Sequence, residues 1–220
     1  SGNVSTSPVN SGGAINFAGS NGAALRVHAS TVSGNRSAGS GGGISNASPG
    51  QERESRLEIT DSTIADNAGG GILSFTQNAG SSATTTLRNT IVANNSPTNL
   101  ATGTFGGGPA TFQTLGFNLS DNFNGVLTPL ATDITNADPR LAPLALYGGQ
   151  TPTRALLHGS PALNVGDASG QATDQRGQGR PGNGSNPNAD IGAFEAQTVP
   201  AIIVNNINDS GAGSLRRAID

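Results

Sequence analysis

The sequence predicts an all-β protein, a right-handed parallel β-helix, and three observations lead there. A glycine phrase recurs as Gly12-Gly13-Ala14-Ile15, Gly41-Gly42-Gly43-Ile44 and Gly69-Gly70-Gly71-Ile72, with its isoleucines 29 and 28 residues apart. A second phrase keeps the beat. Leu25-Arg26-Val27-His28-Ala29-Ser30-Thr31-Val32-Ser33-Gly34-Asn35 matches Leu57-Glu58-Ile59-Thr60-Asp61-Ser62-Thr63-Ile64-Ala65-Asp66-Asn67 at an offset of 32, and a degraded copy runs from Leu87 to Asn95. Inside these phrases apolar residues alternate with polar ones, Leu25 and Val27 around Arg26, Leu57 and Ile59 around Glu58. Alternation is strand spacing, whereas a helix needs apolar residues three and four apart. A fixed period of this size marks a solenoid. Some 28 residues with two or three short strands make one turn, and successive turns pair in parallel roughly 4.8 Å apart.

The elements follow in chain order. Residues 1–135 form the repeat zone, with Ile15, Ile44 and Ile72 expected in one interior row and Ile59 and Leu87 in another. A lone turn cannot bury enough to offset its ordering, so turns must stack and share a core. Gln51 to Arg56 (Gln-Glu-Arg-Glu-Ser-Arg) reads as a charged insertion leaving one corner, a solvated loop or else a glycan contact. Further on, Thr111-Phe112, Leu115 to Leu119 and Val126-Leu127 read as short strands. Phe105, Phe112, Phe117 and Phe123 read as filling for the end of the core. The competing reading is a sugar-stacking platform, but Trp is absent and there is one Tyr.

Composition narrows the class. The chain has 220 residues, 33 of them glycine, with 33% hydrophobic and 11% charged residues. The repeat argues against the disorder that such values would otherwise imply. All 11 basic residues are arginine, so lysine bases and Schiff bases are excluded. Cysteine is absent, which excludes disulfides and thiolate metal sites. A net charge of −3 leaves no footprint for nucleic acid. No apolar run reaches membrane-spanning length. Residue 1 is Ser and no signal peptide is visible, so the chain reads as a processed product or a slice of something longer. Low charge with abundant Ser, Thr, Asn and Gly suits a secreted, extracellular cell-surface protein.

Residues 136–197 change character. Pro139, Pro143, Pro152 and Pro161 break any regular ladder, so this stretch reads as an irregular C-terminal wrap of the same domain. It carries Ala137-Asp138-Pro139-Arg140-Leu141, then Tyr147-Gly148-Gly149-Gln150-Thr151-Pro152-Thr153, then Gly159-Ser160-Pro161-Ala162-Leu163. Asp174-Gln175-Arg176-Gly177, Arg180-Pro181 and Asp190-Ile191-Gly192-Ala193-Phe194-Glu195 follow. This run resembles the C-terminal part of bacterial choice-of-anchor Q domain proteins. The resemblance is tight over residues 115–196 and loose over the repeats. It implies a secreted, pectate-lyase-like right-handed β-helix, often found within very long surface polypeptides. Asn164 departs from the pattern, which often has Asp there.

Asp174, Arg176, Arg180, Asp190 and Glu195 are the candidate site residues. Paired carboxylates with arginines suit acid/base work on a uronic acid. They equally suit a salt-bridged lock tying the wrap onto the rod, which the arginine fork favours. The lock is the preferred reading, and the resemblance implies the same, since the family's motif is not known as an active site. No catalytic residue and no cofactor is assigned. His28 and His158 have no second ligand at metal spacing. Asp61, Asp66 and Asp121 lie near turns where a structural Ca²⁺ would sit, without the nonapeptide repeat that usually builds such a site. Asn35, Asn46, Asn94 and Asn118 fit the glycosylation sequon by pattern alone.

Residues 198–220 read as a strand-plus-helix tail. Ile202, Ile203 and Val204 lie in an apolar strand, and Leu215, Ala218 and Ile219 share one face of a short helix capped by Ser214. In the resembling family such a phrase opens a domain and caps its first turn, whereas here it closes the chain and Ser1 enters the repeats without it. The expectation is a non-enzymatic structural module that assembles head to tail, copies of itself being its partners. It is either a filament subunit or a tandem repeat of a long adhesive surface protein. The alternative is a glycan-binding or polysaccharide-degrading β-helix protein, and surface glycans remain a second expected partner.

Overall fold

The computed structural model describes residues 1–6, 12–50, 53–182 and 187–197. It is a parallel β-solenoid of about four turns. The first sheet stacks β2 (Ile15–Ala18), β6 (Ile44–Ser48), β9 (Ile72–Thr76) and β12 (Leu100–Thr104). The second stacks β3 (Ala23–His28), β7 (Glu54–Thr60), β10 (Ser82–Arg88) and β13 (Ala110–Thr114). The third stacks β4 (Thr31–Ser33), β8 (Thr63–Ala65), β11 (Ile91–Ala93), β14 (Leu119–Ser120) and β15 (Ile134–Thr135). At one corner β1 (Val4–Ser5) pairs with β5 (Arg36–Ser37). Every ladder between these strands is parallel.

The interior rows fall where the repeat places them. Ile15, Ile44, Ile72 and Leu100 align on the first sheet. Val27, Ile59 and Leu87 align on the second, as do Leu25, Leu57, Thr85 and Phe112. Val32, Ile64 and Val92 close the triangle from the third. Thr85 sits in this core without penalty because Asn46 Nδ2 donates to its hydroxyl at 3.1 Å and Ser55 Oγ donates back to Asn46 Oδ1 at 2.6 Å.

Two sequence features set the corners. The three-residue strands of the third sheet are bracketed by left-handed residues, Ala29, Asp61 and Asn89 before them and Gly34, Asp66 and Asn94 after them. Asn and Asp accept that conformation more readily than most residues, and Gly without strain. The glycine triplets let turns approach: a Cβ on Gly42 would lie 2.1 Å from the Ala68 carbonyl oxygen. Their N–H groups run to the next turn, Gly43 to Gly70 O at 3.0 Å and Ile44 to Gly71 O at 2.9 Å.

An asparagine ladder, buried from Asn35 to Asn99, threads the rod. Asn3 Nδ2 donates to Asn35 Oδ1 at 3.0 Å, Asn35 to Asn67 at 2.8 Å, Asn67 to Asn95 at 2.9 Å and Asn95 to Asn99 at 3.0 Å. It ends on the Asp121 carboxylate and the Ser120 hydroxyl.

Some expectations need correction. Glu54 to Arg56 are not loop but the start of β7, paired with Ser82 to Thr84. The extra four residues behind the 32-residue offset lie elsewhere: eight positions separate Asn35 from Gly43, but four separate Asn67 from Gly71. Phe112 and Phe123 are buried in the core, yet Phe105 is 75% exposed and Phe117 occupies a half-buried left-handed corner. Of the Leu115–Leu119 stretch only Leu119 enters a strand, because Gly116 and Phe117 both take positive φ. Val126 and Leu127 pack against the core from a turn and not a strand. Among the described residues no helix is long and apolar enough to cross a membrane. The tail with Ile202, Ile203, Val204, Leu215, Ala218 and Ile219 lies outside the described residues.

The two ends of the rod differ. Phe112, Phe123 and Leu127 seal the core at the late turns. At the first turn Ile15 and Leu25 are only half-buried, while Ile44 and Leu57 beneath them are fully buried. A hollow of ≈ 430 Å³ opens there, lined by Ile15, Leu25, Val27 and Val32 with Arg26 and His28 at the rim.

Candidate functional site

The wrap lies on the outer face of the third sheet. That face carries one row of Thr31, Thr63, Ile91, Leu119 and Ile134. Ile91, Ala93 and Leu119 form a second core with Leu156, Ala162, Ile191 and Phe194 of the wrap. In the earlier turns threonines stand in the same row and bond the wrap directly. Thr63 Oγ1 accepts the Ala193 N–H at 3.1 Å, and the Thr31 hydroxyl donates to Gln175 Oε1 at 2.6 Å. Sequence reasoning missed this docking face. Its signal was the apolar pair Ile91-Val92, which buries on both sides of the sheet where Thr31-Val32 and Thr63-Ile64 alternate.

All five candidate residues come together here, in two linked knots. In the first, Asp174 accepts both arms of Arg176, Nε at 2.9 Å and Nη2 at 2.7 Å. Arg176 also donates to Glu195 O at 2.6 Å and Tyr147 O at 3.0 Å, and its guanidinium sits 3.7 Å over the Phe194 ring. In the second, Arg180 donates to Gly192 O at 2.8 Å and to Asp190 O. It faces Glu195 at 3.5 Å and Asp61, on the rod itself, at 3.6 Å.

The carboxylates are filled from within. Asp190 accepts the Asn164 and Ala196 N–H groups, Glu195 those of Gly182 and Asp190, and Asp174 those of Arg176, Gln178 and Glu195. Burial pushes the Asp190 and Glu195 carboxyls above their usual range, with their backbone donors and Arg180 only partly opposing it. Groups so occupied hold backbone in place.

Further pairs pin the wrap to the rod. Asn89 on the third-turn corner donates to Asp61 Oδ1 at 2.8 Å and accepts the Asp167 N–H at 3.0 Å. Arg88 pairs with Asp167, and Arg154 with Asp66. Burial raises the Asp167 carboxyl, but bonds from Ser169 and Arg88 outweigh it and the net shift is downward.

The remaining candidates are dispersed. His28 and His158 are both exposed. Asp61, Asp66 and Asp121 point to Arg180, Arg154 and Asn99 respectively, and no group of three metal-binding side chains exists among the described residues. Of the four sequon asparagines named above, Asn35, Asn46 and Asn118 are buried structural groups and Asn94 is exposed. The outer face of the second sheet does gather charges from successive turns, Arg26, Glu54, Arg56, Glu58 and Arg88. They are spent on one another or on the wrap: Arg26 on Glu58 at 2.7 Å, Arg56 on Glu54 at 2.8 Å, Arg88 on Asp167.

No protein-family profile, curated protein or solved structure matches this chain. Its site is therefore read from its own geometry.

Proposed function

We propose that this chain is a non-enzymatic structural module that assembles head to tail, the tail of one copy completing the first turn of the next. The single observation behind the reading is the asymmetry of the rod. One end is sealed by Phe112, Phe123 and Leu127, and the other leaves Ile15 and Leu25 half-exposed around an apolar hollow. The edges of β2, β3 and β4 at that end have no strand beyond them among the described residues, and unpaired edges invite an added strand. The apolar segment with Ile202, Ile203 and Val204 has the composition of such a strand, and Leu215, Ala218 and Ile219 that of a lid over it. Donor and acceptor surfaces differ, so the contact is heterologous and propagates. The resemblance to choice-of-anchor Q surface proteins and the low charge support a location outside the cell, in a filament or a long adhesive polypeptide.

The test compares the full chain with a chain lacking residues 199–220, by sedimentation and electron microscopy over a concentration series. The full chain should form linear assemblies and the shortened one should not. Identical filaments from both, or a full chain that stays monomeric with its tail on its own first turn, would overturn the reading.

A further inference from the structure

The outer face of the first sheet differs from the other two. The third sheet's outer face is covered by the wrap and the second's carries paired charges, but the first sheet presents an open groove of ≈ 340 Å³ with no charged residue in its lining. Phe105 stands at one end, 75% exposed. Its ring is not loose: it meets the buried Phe75 edge-on, centroids 6.1 Å apart at 80°, and its N–H donates to Thr76 O at 2.9 Å. Beyond Phe75 the floor is made of the small residues Ala47 and Ala18, aligned turn above turn. At the rim, Gln77 and Asn16 are exposed, and their amides have no hydrogen-bond partner among the described residues.

We propose that this groove binds a neutral oligosaccharide lying along the rod axis. The chemistry of the lining selects the class. A sugar ring has an apolar C–H face that packs on an aromatic platform, and hydroxyl edges that side-chain amides bond as both donor and acceptor. Phe105 supplies the platform already oriented, so little freedom is lost on binding. Among the described residues of the lining, an anionic sugar finds no cation and a cationic ligand no carboxylate. The groove crosses successive strands about 4.8 Å apart, close to the length of one sugar ring, so Phe105 and Gln77, on neighbouring turns, stand at sugar spacing, while Asn16 lies farther along the floor past Ala47 and Ala18. This site is independent of the assembly reading, which uses the end of the rod.

The experiment uses the full chain and a panel of neutral hexasaccharides, cello-, xylo- and malto-, followed by titration calorimetry and affinity electrophoresis. At least one should bind saturably. Phe105→Ala should weaken it about tenfold or more, about 1.4 kcal/mol, and Gln77→Ala should also weaken it. Thr86→Ala on the second sheet should leave it unchanged. Melting of Phe105→Ala should fall only slightly, by the loss of one edge-on pair with Phe75, because the ring is mostly outside the core. No binding across the panel, or binding indifferent to Phe105→Ala and Gln77→Ala, overturns the proposal. So does a Phe105→Ala chain that loses self-assembly in place of sugar binding, which would make the face a contact between copies.

Discussion

Arg180 Nε lies 3.5 Å from Glu195 Oε2, with the arginine side chain 1% exposed and the glutamate fully buried. The same guanidinium faces Asp61, which belongs to the rod and not the wrap. One buried cation thus serves the wrap's own backbone and its attachment at once.

Removing that cation leaves the Asp61 and Glu195 carboxylates without their shared partner and takes the Arg180 donor from Gly192 O, while Asp190 O keeps only the Asn89 side-chain donor. Arg180→Leu should cost about 3–5 kcal/mol, the usual penalty for breaking a buried pair. Limited proteolysis should then cut within residues 136–197 before the repeats, since local opening follows local loss of contacts. An unchanged melting curve would remove the lock as an account of these residues.

Arg176→Ala should be comparably severe but more local. It frees Asp174, two carbonyls and the face of Phe194, all within the wrap. Arg176→Lys should not rescue it, because an ammonium cannot span both Asp174 contacts and stack on the ring. Full rescue by lysine would show that charge alone matters there.

The pH dependence follows from the raised Asp190 and Glu195 carboxyls. Both bind protons more tightly folded than unfolded. Their contribution is fully present below the ordinary carboxylate range and is lost as pH rises through their raised folded values. The share of stability that these two groups contribute should therefore fall in denaturant melts as pH rises above the ordinary carboxylate range, against the opposite and separate trend from the lowered Asp167. Glu195→Gln should flatten that slope whatever its absolute stability. A slope unaffected by the change would assign the dependence to other groups.

Asn67 sits at the middle of the asparagine ladder. It donates to Asn95 Oδ1, Val32 O and Ala65 O and accepts from Asn35. Asn67→Ala strands several buried groups at about 1–3 kcal/mol each, so a loss of several kcal/mol is expected from chemical denaturation. Asn94→Ala next door, exposed on a corner, should cost much less. Equal costs would mean that the ladder carries no special weight.

Gly42→Ala tests the close stacking of turns. Its Cβ would meet the backbone oxygens of Ala68 and Gly70 at 2.1 and 2.9 Å. Neither can swing aside, so overpacking should cost about 1–3 kcal/mol. Gly34→Ala, open in space but left-handed, separates crowding from backbone strain.

The solenoid was legible because its period is written in residue types. Ile15, Ile44 and Ile72 repeat in sequence and align in space, and the same holds for Val27, Ile59 and Leu87. The lock residues were legible too, as arginines and carboxylates concentrated in a stretch with little else to hold it. Their partners were not. Asp61 and Thr63 lie more than a hundred positions from Arg180 and Ala193, and no local pattern links them. Phe105 was misplaced because a period assigns a position to a turn without saying which side of a sheet it faces. Here it continues the first sheet one residue past β12, on the outer side with Phe75. The ladder asparagines were in plain view at the end of each phrase. Of these, Asn35 was read only as a glycosylation pattern, because a sequon and a buried amide row use the same amino acid.

The ladder also gives the rod an arrow. Every link has its amide nitrogen on the earlier turn and its oxygen on the later one, from Asn3 through Asn35, Asn67 and Asn95 to Asn99. The bond dipoles therefore add and do not cancel, and chains of aligned bonds polarise one another. The late end is terminated by the acidic Asp121, a negative group set where donors emerge. The early end presents a carboxamide oxygen, which only a donor can meet. Two rods brought early end to early end would set oxygen against oxygen. The molecule thus has a built-in sense of direction, fixed by a row of side chains that is buried along the middle of the rod and surfaces at Asn3.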